Sequence, residues 1–197
     1  MIPKDLQSYY RLHSRIYDIT RWSFLFGRNS IAGVLPELPP SSNILDLGCG
    51  TGKHLNTLLN EYPEATITGI DQSHEMLNVA RKTTSQRVNI RNEKYSLDSF
   101  EDESLDLILA SYSLSMMDDL EMVLKTAKTH LKTNCFFLVV DFDETPFSWF
   151  DNWMKKNHVH FDHHLFQKLQ KEFIAERLTT RKGYLGLYTY STFIGRK

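Results

Sequence analysis

The run Ile44-Leu45-Asp46-Leu47-Gly48-Cys49-Gly50-Thr51-Gly52-Lys53 constrains the fold of this chain more than any other stretch. A short apolar strand ends in three alternate glycines, and a helix face follows at Leu55, Leu58, Leu59 and Tyr62. Glycines so spaced let the backbone turn tightly and let a ligand lie against bare main chain. The helix beyond them presents N–H groups that have no partner within the helix, which suits an anionic group.

The rest of the chain repeats the strand–helix alternation that this unit begins. Strands are expected at Ile44–Leu47, Thr66–Ile70, Val88–Arg91, Leu105–Ala110 and Cys135–Phe142. Helices are expected through Met76, Leu77 and Ala80, with Ser73 as N-cap, and from Leu120 to Leu131, entered through Asp118-Asp119. A further helix ends near Lys171, and strands at Phe173–Thr180 and Leu185–Gly195 are joined by a turn at Lys182-Gly183. Alternation of this kind implies an α/β fold with a parallel sheet covered on both faces, closed here by an antiparallel hairpin.

Pro36-Glu37-Leu38-Pro39-Pro40 divides the chain into an N-terminal segment, 1–40, and a main domain, 41–197. In the first part Leu6, Tyr9, Tyr10, His13, Ile16, Tyr17 and Thr20 recur at helical spacing, and a short second helix is expected from Asn29 to Leu35. Charge is uneven. Residues 1–30 hold five Lys/Arg and two Asp/Glu, and residues 151–197 hold nine and four. The middle, 31–150, holds nine and eighteen. Basic ends favour an anionic partner, or are simply solvated faces. With 197 residues and 41% apolar composition the chain can bury a core without staples, and no apolar run reaches bilayer length. Met1 to Asp5 opens no secretory leader, and two cysteines, Cys49 and Cys135, make a reduced, cytoplasmic location the default.

The glycine run fits two nucleotide fingerprints poorly. A dinucleotide loop needs its third glycine one residue later, and a P-loop needs four residues between its first glycine and Gly-Lys. The pattern D-x-G-x-G-x-G resembles motif I of class I S-adenosylmethionine-dependent methyltransferases. Twenty-five positions after Asp46, Thr66-Ile67-Thr68-Gly69-Ile70-Asp71 ends in an acid at a strand's carboxyl edge, where it can accept both hydroxyls of a ribose. Asp71-Gln72-Ser73, followed by Met76-Leu77, is similar to the family's second motif, and Ser104-Leu105-Asp106-Leu107-Ile108 to Ser111 resembles its fourth strand. The resemblance implies a doubly wound, seven-stranded Rossmann-like sheet. It also implies cofactor contacts from Asp46, Gly48, Cys49, Gly50, Gly52, Asp71, Gln72, Met76 and Ser111. The segment Lys94 to Leu97 passes the adenine, with Ser96 and Leu97 as its contacts.

The acceptor is less constrained. Ala110-Ser111-Tyr112-Ser113 lacks the Asn/Asp-Pro-Pro-aromatic motif of base-amine chemistry, no Pro-Cys nucleophile occurs, and no nucleic-acid partner is expected. Arg15-Ile16-Tyr17-Asp18-Ile19-Thr20-Arg21-Trp22, with Phe24-Leu25-Phe26-Gly27-Arg28, resembles small bacterial phosphatidylethanolamine and betaine-lipid N-methyltransferases. The resemblance implies a lipid-linked amine acceptor and peripheral attachment to an anionic membrane surface through residues 1–28. A basic, aromatic amphipathic helix suits that interface, and suits a lid over the site equally well. Tyr17 is the first candidate for cation–π contact with the acceptor nitrogen, ahead of Trp22, Tyr112, Trp149 and Tyr184. Asp141, ending the fifth strand, can orient an ammonium, and His158 can accept a proton. His158, His160, His163 and His164 lack closed-site zinc spacing, so no metal is expected. A soluble enzyme acting on a small metabolite and a non-catalytic cofactor-binding protein remain as alternatives.

Overall fold

The computed structural model describes residues 25–28, 31–156, 159, 161 and 164–197. The expected N-terminal helix, with Tyr17 and Trp22, lies outside them, as does His158. Seven strands form one sheet: β1 (Asn43–Leu47), β2 (Thr66–Asp71), β3 (Asn89–Asn92), β4 (Leu105–Ser111), β5 (Leu131–Phe142), β6 (Ile174–Gly183) and β7 (Tyr188–Arg196). Their order is β3-β2-β1-β4-β5-β7-β6. The first five run parallel, and β7 lies antiparallel between β5 and β6. The doubly wound sheet with its closing hairpin is therefore as expected. The order reverses between β1 and β4, the place where open α/β sheets bind ligands.

Among the described residues five α-helices cover the faces: α1 (Lys53–Glu61), α2 (His74–Thr83), α3 (Leu120–His130), α4 (Ser148–Lys156) and α5 (Leu165–Glu172). Strand alternation splits the core into two layers. Ile44, Leu107 and Leu109 join Leu55 and Leu58 of α1, Leu77 of α2 and Phe150 of α4 on one face. Leu45, Leu47, Ile108 and Val139 join Leu124 of α3 and Leu165 and Leu169 of α5 on the other. The central strand β4 is buried along its whole length, as a strand covered on both faces must be. The outer strand β6 is exposed and carries Glu176, Arg177, Arg181 and Lys182, charges that discourage edge pairing. No helix among the described residues is long and apolar enough to cross a membrane.

Two local expectations change. The second helix is a single 3-10 turn, Ala32–Val34, because Leu35 precedes Pro36 and is extended at φ −63, ψ 135. The hairpin turns at Tyr184-Leu185-Gly186, with φ of 46, 57 and 90, and not at Lys182-Gly183. Gly183 is still extended and pairs with Tyr188, whose ring lies 2.5 Å from where a Cβ would stand. Its small size accommodates that ring, so the glycine does not mark the bend.

Candidate active site

The glycine run forms a tight bridge from β1 into α1. Gly48, Gly50 and Gly52 take φ of 73, 55 and 78, a region costly for residues with a Cβ. At Gly48 a Cβ would also stand 2.4 Å from that of Ser113, so the loop and the end of β4 are in direct contact there. The Gly48 and Cys49 N–H groups donate to the Ile70 carbonyl at 2.8 and 3.0 Å, which docks the loop on the end of β2.

Asp71 sits at that end. One of its oxygens accepts the Gly50 N–H at 2.9 Å and the other the Ser73 N–H at 2.8 Å. A carboxylate has about four lone-pair sites, so two bonds leave acceptor capacity for a ligand's hydroxyls. Ser73 caps α2 by accepting from the Met76 N–H at 3.2 Å, which brings Met76 to the same opening.

A cavity of about 390 Å³ opens over these residues. Of the residues expected at the cofactor, Gly48, Gly50, Asp71, Gln72, Met76 and Ser111 line it. Asp46, Cys49, Gly52, Ser96 and Leu97 do not. Cys49 is buried within the core, where burial pushes its thiol far up. Gly52 caps α1 and faces Thr84 and Ala80. Ser96 and Ser99 form a capping box, and Leu97 is exposed to solvent; Glu93 and Tyr95 line the cavity there instead. Asp141 is fully enclosed and lies away from the cavity wall. Its oxygens accept the Ser115 N–H at 3.1 Å and the Phe142 N–H at 2.8 Å, a bracing role at the end of β5.

Asp46 is 1% exposed, and neither carboxylate oxygen has a hydrogen-bond partner among the described residues. Burial raises its pKa to about 7, against the pull of Arg28 and with a further push from Asp71. His54 is buried at the start of α1. Its Nε2 accepts from Arg28 Nε at 3.4 Å and lies 3.1 Å from the Ser111 hydroxyl. Since a guanidinium only donates, that bond puts the imidazole proton on Nδ1. Burial, then Arg28 and Lys53, lower the His54 pKa to about 3, so the ring is neutral.

Tyr112, an expected candidate for contact with the acceptor nitrogen, lines the opposite wall of the cavity. Leu25 and Arg28 reach the cavity because the segment 25–28 is clasped by tyrosines. The Tyr112 hydroxyl donates to the Phe26 carbonyl, and the Tyr190 ring lies against Gly27, whose φ is 85. Tyr112 itself holds φ 55, a strained value for an aromatic residue, fixed by its N–H bond to Val140 at 2.7 Å and its edge contact with Phe142. Ser113, Met116 and Met117 complete the wall beyond β4.

Residues 39–183 match the model of the methyltransferase domain. The chain belongs to this methyltransferase family. Its members are enzymes that take S-adenosylmethionine as cofactor. It is 32% identical over 111 residues to malonyl-[acyl-carrier protein] O-methyltransferase of Bacillus anthracis, covering 54% of this chain and 40% of that protein. It is 29% identical over 146 residues to trans-aconitate 2-methyltransferase of Deinococcus radiodurans, covering 74% of this chain and 50% of that one. The chain thus spans half or less of the length of these two relatives. Among solved structures, geranyl diphosphate C-methyltransferase of Streptomyces coelicolor, in complex with Mg2+, geranyl diphosphate and S-adenosyl-L-homocysteine, superposes with TM-score 0.71. That match has 13% identity and covers 85% of this chain and 80% of the other, which shows a shared fold.

The residues around the cavity suit the family's cofactor. Asp71 could provide the acceptor its sugar needs, and the carboxylate of Asp46, unpaired among the described residues, would offset the ammonium of its amino-acid tail.

Proposed function

We propose that this chain transfers the methyl group of S-adenosylmethionine to an amine, most suitably that of a phosphatidylethanolamine-type headgroup. The observation that carries the cofactor half is convergence: Gly48, Gly50 and Asp71 line one cavity, with the unpartnered carboxylate of Asp46 behind it. Gly48, Gly50 and the neighbouring Thr51 would hold the amino-acid tail, Asp71 the ribose, and Glu93 and Tyr95 would flank the base. The bound cofactor supplies a methyl group already activated on a sulfonium.

The chain's own part is positioning and exclusion of water. Leu25, Met116 and Met117 make an apolar wall, with Arg28 as its cation. An amine attacks only when unprotonated, and both an apolar wall and a nearby cation lower an ammonium's pKa. Segment 1–40 acts as a helical lid and membrane contact over the domain 41–197. This reading draws support from the clasp that holds Phe26 and Gly27 at the cavity rim. The lipid acceptor itself draws on the resemblance of residues 15–28. Tyr17 and His158 keep their proposed parts in binding and deprotonating the amine.

A second reading is a soluble acceptor methylated on oxygen, favoured by the O-methyltransferase among the relatives. Labelled S-adenosylmethionine, presented with phosphatidylethanolamine vesicles, soluble amines and carboxylates, tests both. The lipid reading expects alkali-stable label in the lipid extract. Label found only in alkali-labile esters would overturn it in favour of the second reading. Binding of S-adenosylhomocysteine with no transfer to any acceptor would favour a non-catalytic role.

A further inference from the structure

We infer that His130, remote in sequence from every cofactor motif, is a positioning residue: it fixes the Tyr95 ring as the wall on which the cofactor's adenine stacks. The inference rests on the cofactor reading proposed above. In the sheet, β3 lies beside β2 on the side away from β1. With a ribose at Asp71, the end of β2, a base directed outward reaches the segment that follows β3. Glu93 and Tyr95 line the cavity there.

That segment has little regular structure of its own, yet it is tied down at two points. The Tyr95 hydroxyl donates to His130 Nδ1 at 2.8 Å, and His130 Nε2–H donates to the Leu97 carbonyl at 3.0 Å. One imidazole at the end of α3 thus holds two residues of the same segment. Its two bonds call for the neutral tautomer protonated on Nε2. His130 is 0% exposed, and its ring meets Tyr95 and Phe100 edge-on at 5.4 and 5.7 Å. Arg91 makes the second tie. It binds Glu93 at 3.1 and 2.7 Å and the Ser99 carbonyl at 2.8 Å, and its guanidinium lies 4.9 Å from the Phe100 centroid.

The consequence is chemical as well as mechanical. Because its hydroxyl is committed to a buried histidine, Tyr95 offers the cavity aromatic surface and no polar group. Aromatic surface is what a purine stacks on, independent of hydrogen-bond pattern. A phenylalanine at 95 would keep the ring but lose its tether, and would leave His130 Nδ1 without its donor.

Calorimetric titration with S-adenosylhomocysteine and with 5′-methylthioadenosine, which keeps the nucleoside but lacks the amino-acid tail, tests the role. His130→Phe and Tyr95→Leu are expected to weaken both ligands by the same factor, about tenfold, and Tyr95→Phe by a smaller one. Phe166→Leu, which loosens the same core layer from α5, serves as the control for lost stability and is expected to leave both affinities within twofold of wild type. If 5′-methylthioadenosine binds the His130 and Tyr95 variants as well as it binds wild type, the positioning role is overturned. A loss confined to S-adenosylhomocysteine overturns it too, because the defect then lies at the tail. If the wild-type chain binds neither compound, the cofactor reading falls and this inference falls with it.

Discussion

The ends of β1 and β5 each carry a buried acid, Asp46 and Asp141, at 1% and 0% exposure. Burial raises both pKa values, to about 7 and about 6. What differs is completion. Asp141 receives two main-chain N–H groups, from Ser115 and Phe142. Among the described residues Asp46 receives no hydrogen bond, and the field of Arg28 favours its charge. A fold usually satisfies its buried polar groups, so a strand end left incomplete calls for a partner from outside. Burial at the carboxyl edge is therefore a weak sign of function, and unsatisfied burial there is a stronger one.

The largest expected effect comes from removing the incomplete charge. The folded-state pKa of Asp46 lies above its ordinary value of 3.8, so between the two the folded protein holds a proton that the unfolded chain has lost. Stability then falls as pH rises from about 4 to about 7 and stays low above that. Asp46→Asn removes this loss and is expected to raise stability by about 4 kcal/mol at pH 8, with little change near pH 4. The same substitution should weaken S-adenosylhomocysteine and abolish the rise in its affinity between pH 6 and 8. Urea denaturation and titration across that range measure both. A variant that is less stable at pH 8, or that binds as wild type does, would erase the distinction between the two strand ends.

Asp141→Ala should move the other way and by less. It strands two buried N–H donors, and is expected to cost about 2 kcal/mol near pH 4, where the raised pKa of the folded carboxyl has not yet reduced stability and its removal relieves little. Affinity for S-adenosylhomocysteine should stay within twofold of wild type. Stabilisation comparable to that of Asp46→Asn in urea denaturation, or a tenfold loss of affinity, would show that Asp141 serves the ligand.

Sequence carried the sheet and the glycine end of the cavity well, for a physical reason. Left-handed glycines, strand alternation and helix caps act within a few residues of one another, so Gly48, Gly50, Asp71 and the Ser73 cap are readable locally. The other walls depend on contacts that bridge long separations. Arg28 meets His54 and Tyr112 meets Phe26 only after the sheet has formed. Asp141 shows the opposite limit. Its position in the strand is legible, but the two N–H groups that complete it belong to the chain's path after β4 and to its own neighbour. Ser96 and Leu97 likewise stand off the cavity wall: a capping box turns that stretch aside and leaves Glu93 and Tyr95 at the wall.

The smallest effect lies within the glycine loop and isolates the ligand's share of its design. Gly50 has φ 55, yet the nearest atom to a Cβ built there is Met76 Sδ at 3.9 Å, an ordinary contact. Space is therefore available, and an alanine would suffer only from the left-handed backbone, about 1 kcal/mol. The Gly50 N–H bond to Asp71 need not be lost. The added methyl would, however, stand at a residue that lines the cavity, where main chain is otherwise bare. Gly50→Ala is thus expected to lower the urea midpoint slightly while weakening S-adenosylhomocysteine by considerably more than that loss of stability implies. Equal losses in the two measurements would mean that the glycine serves the turn alone, and that the end of β1 is no more specialised for a ligand than the end of β5.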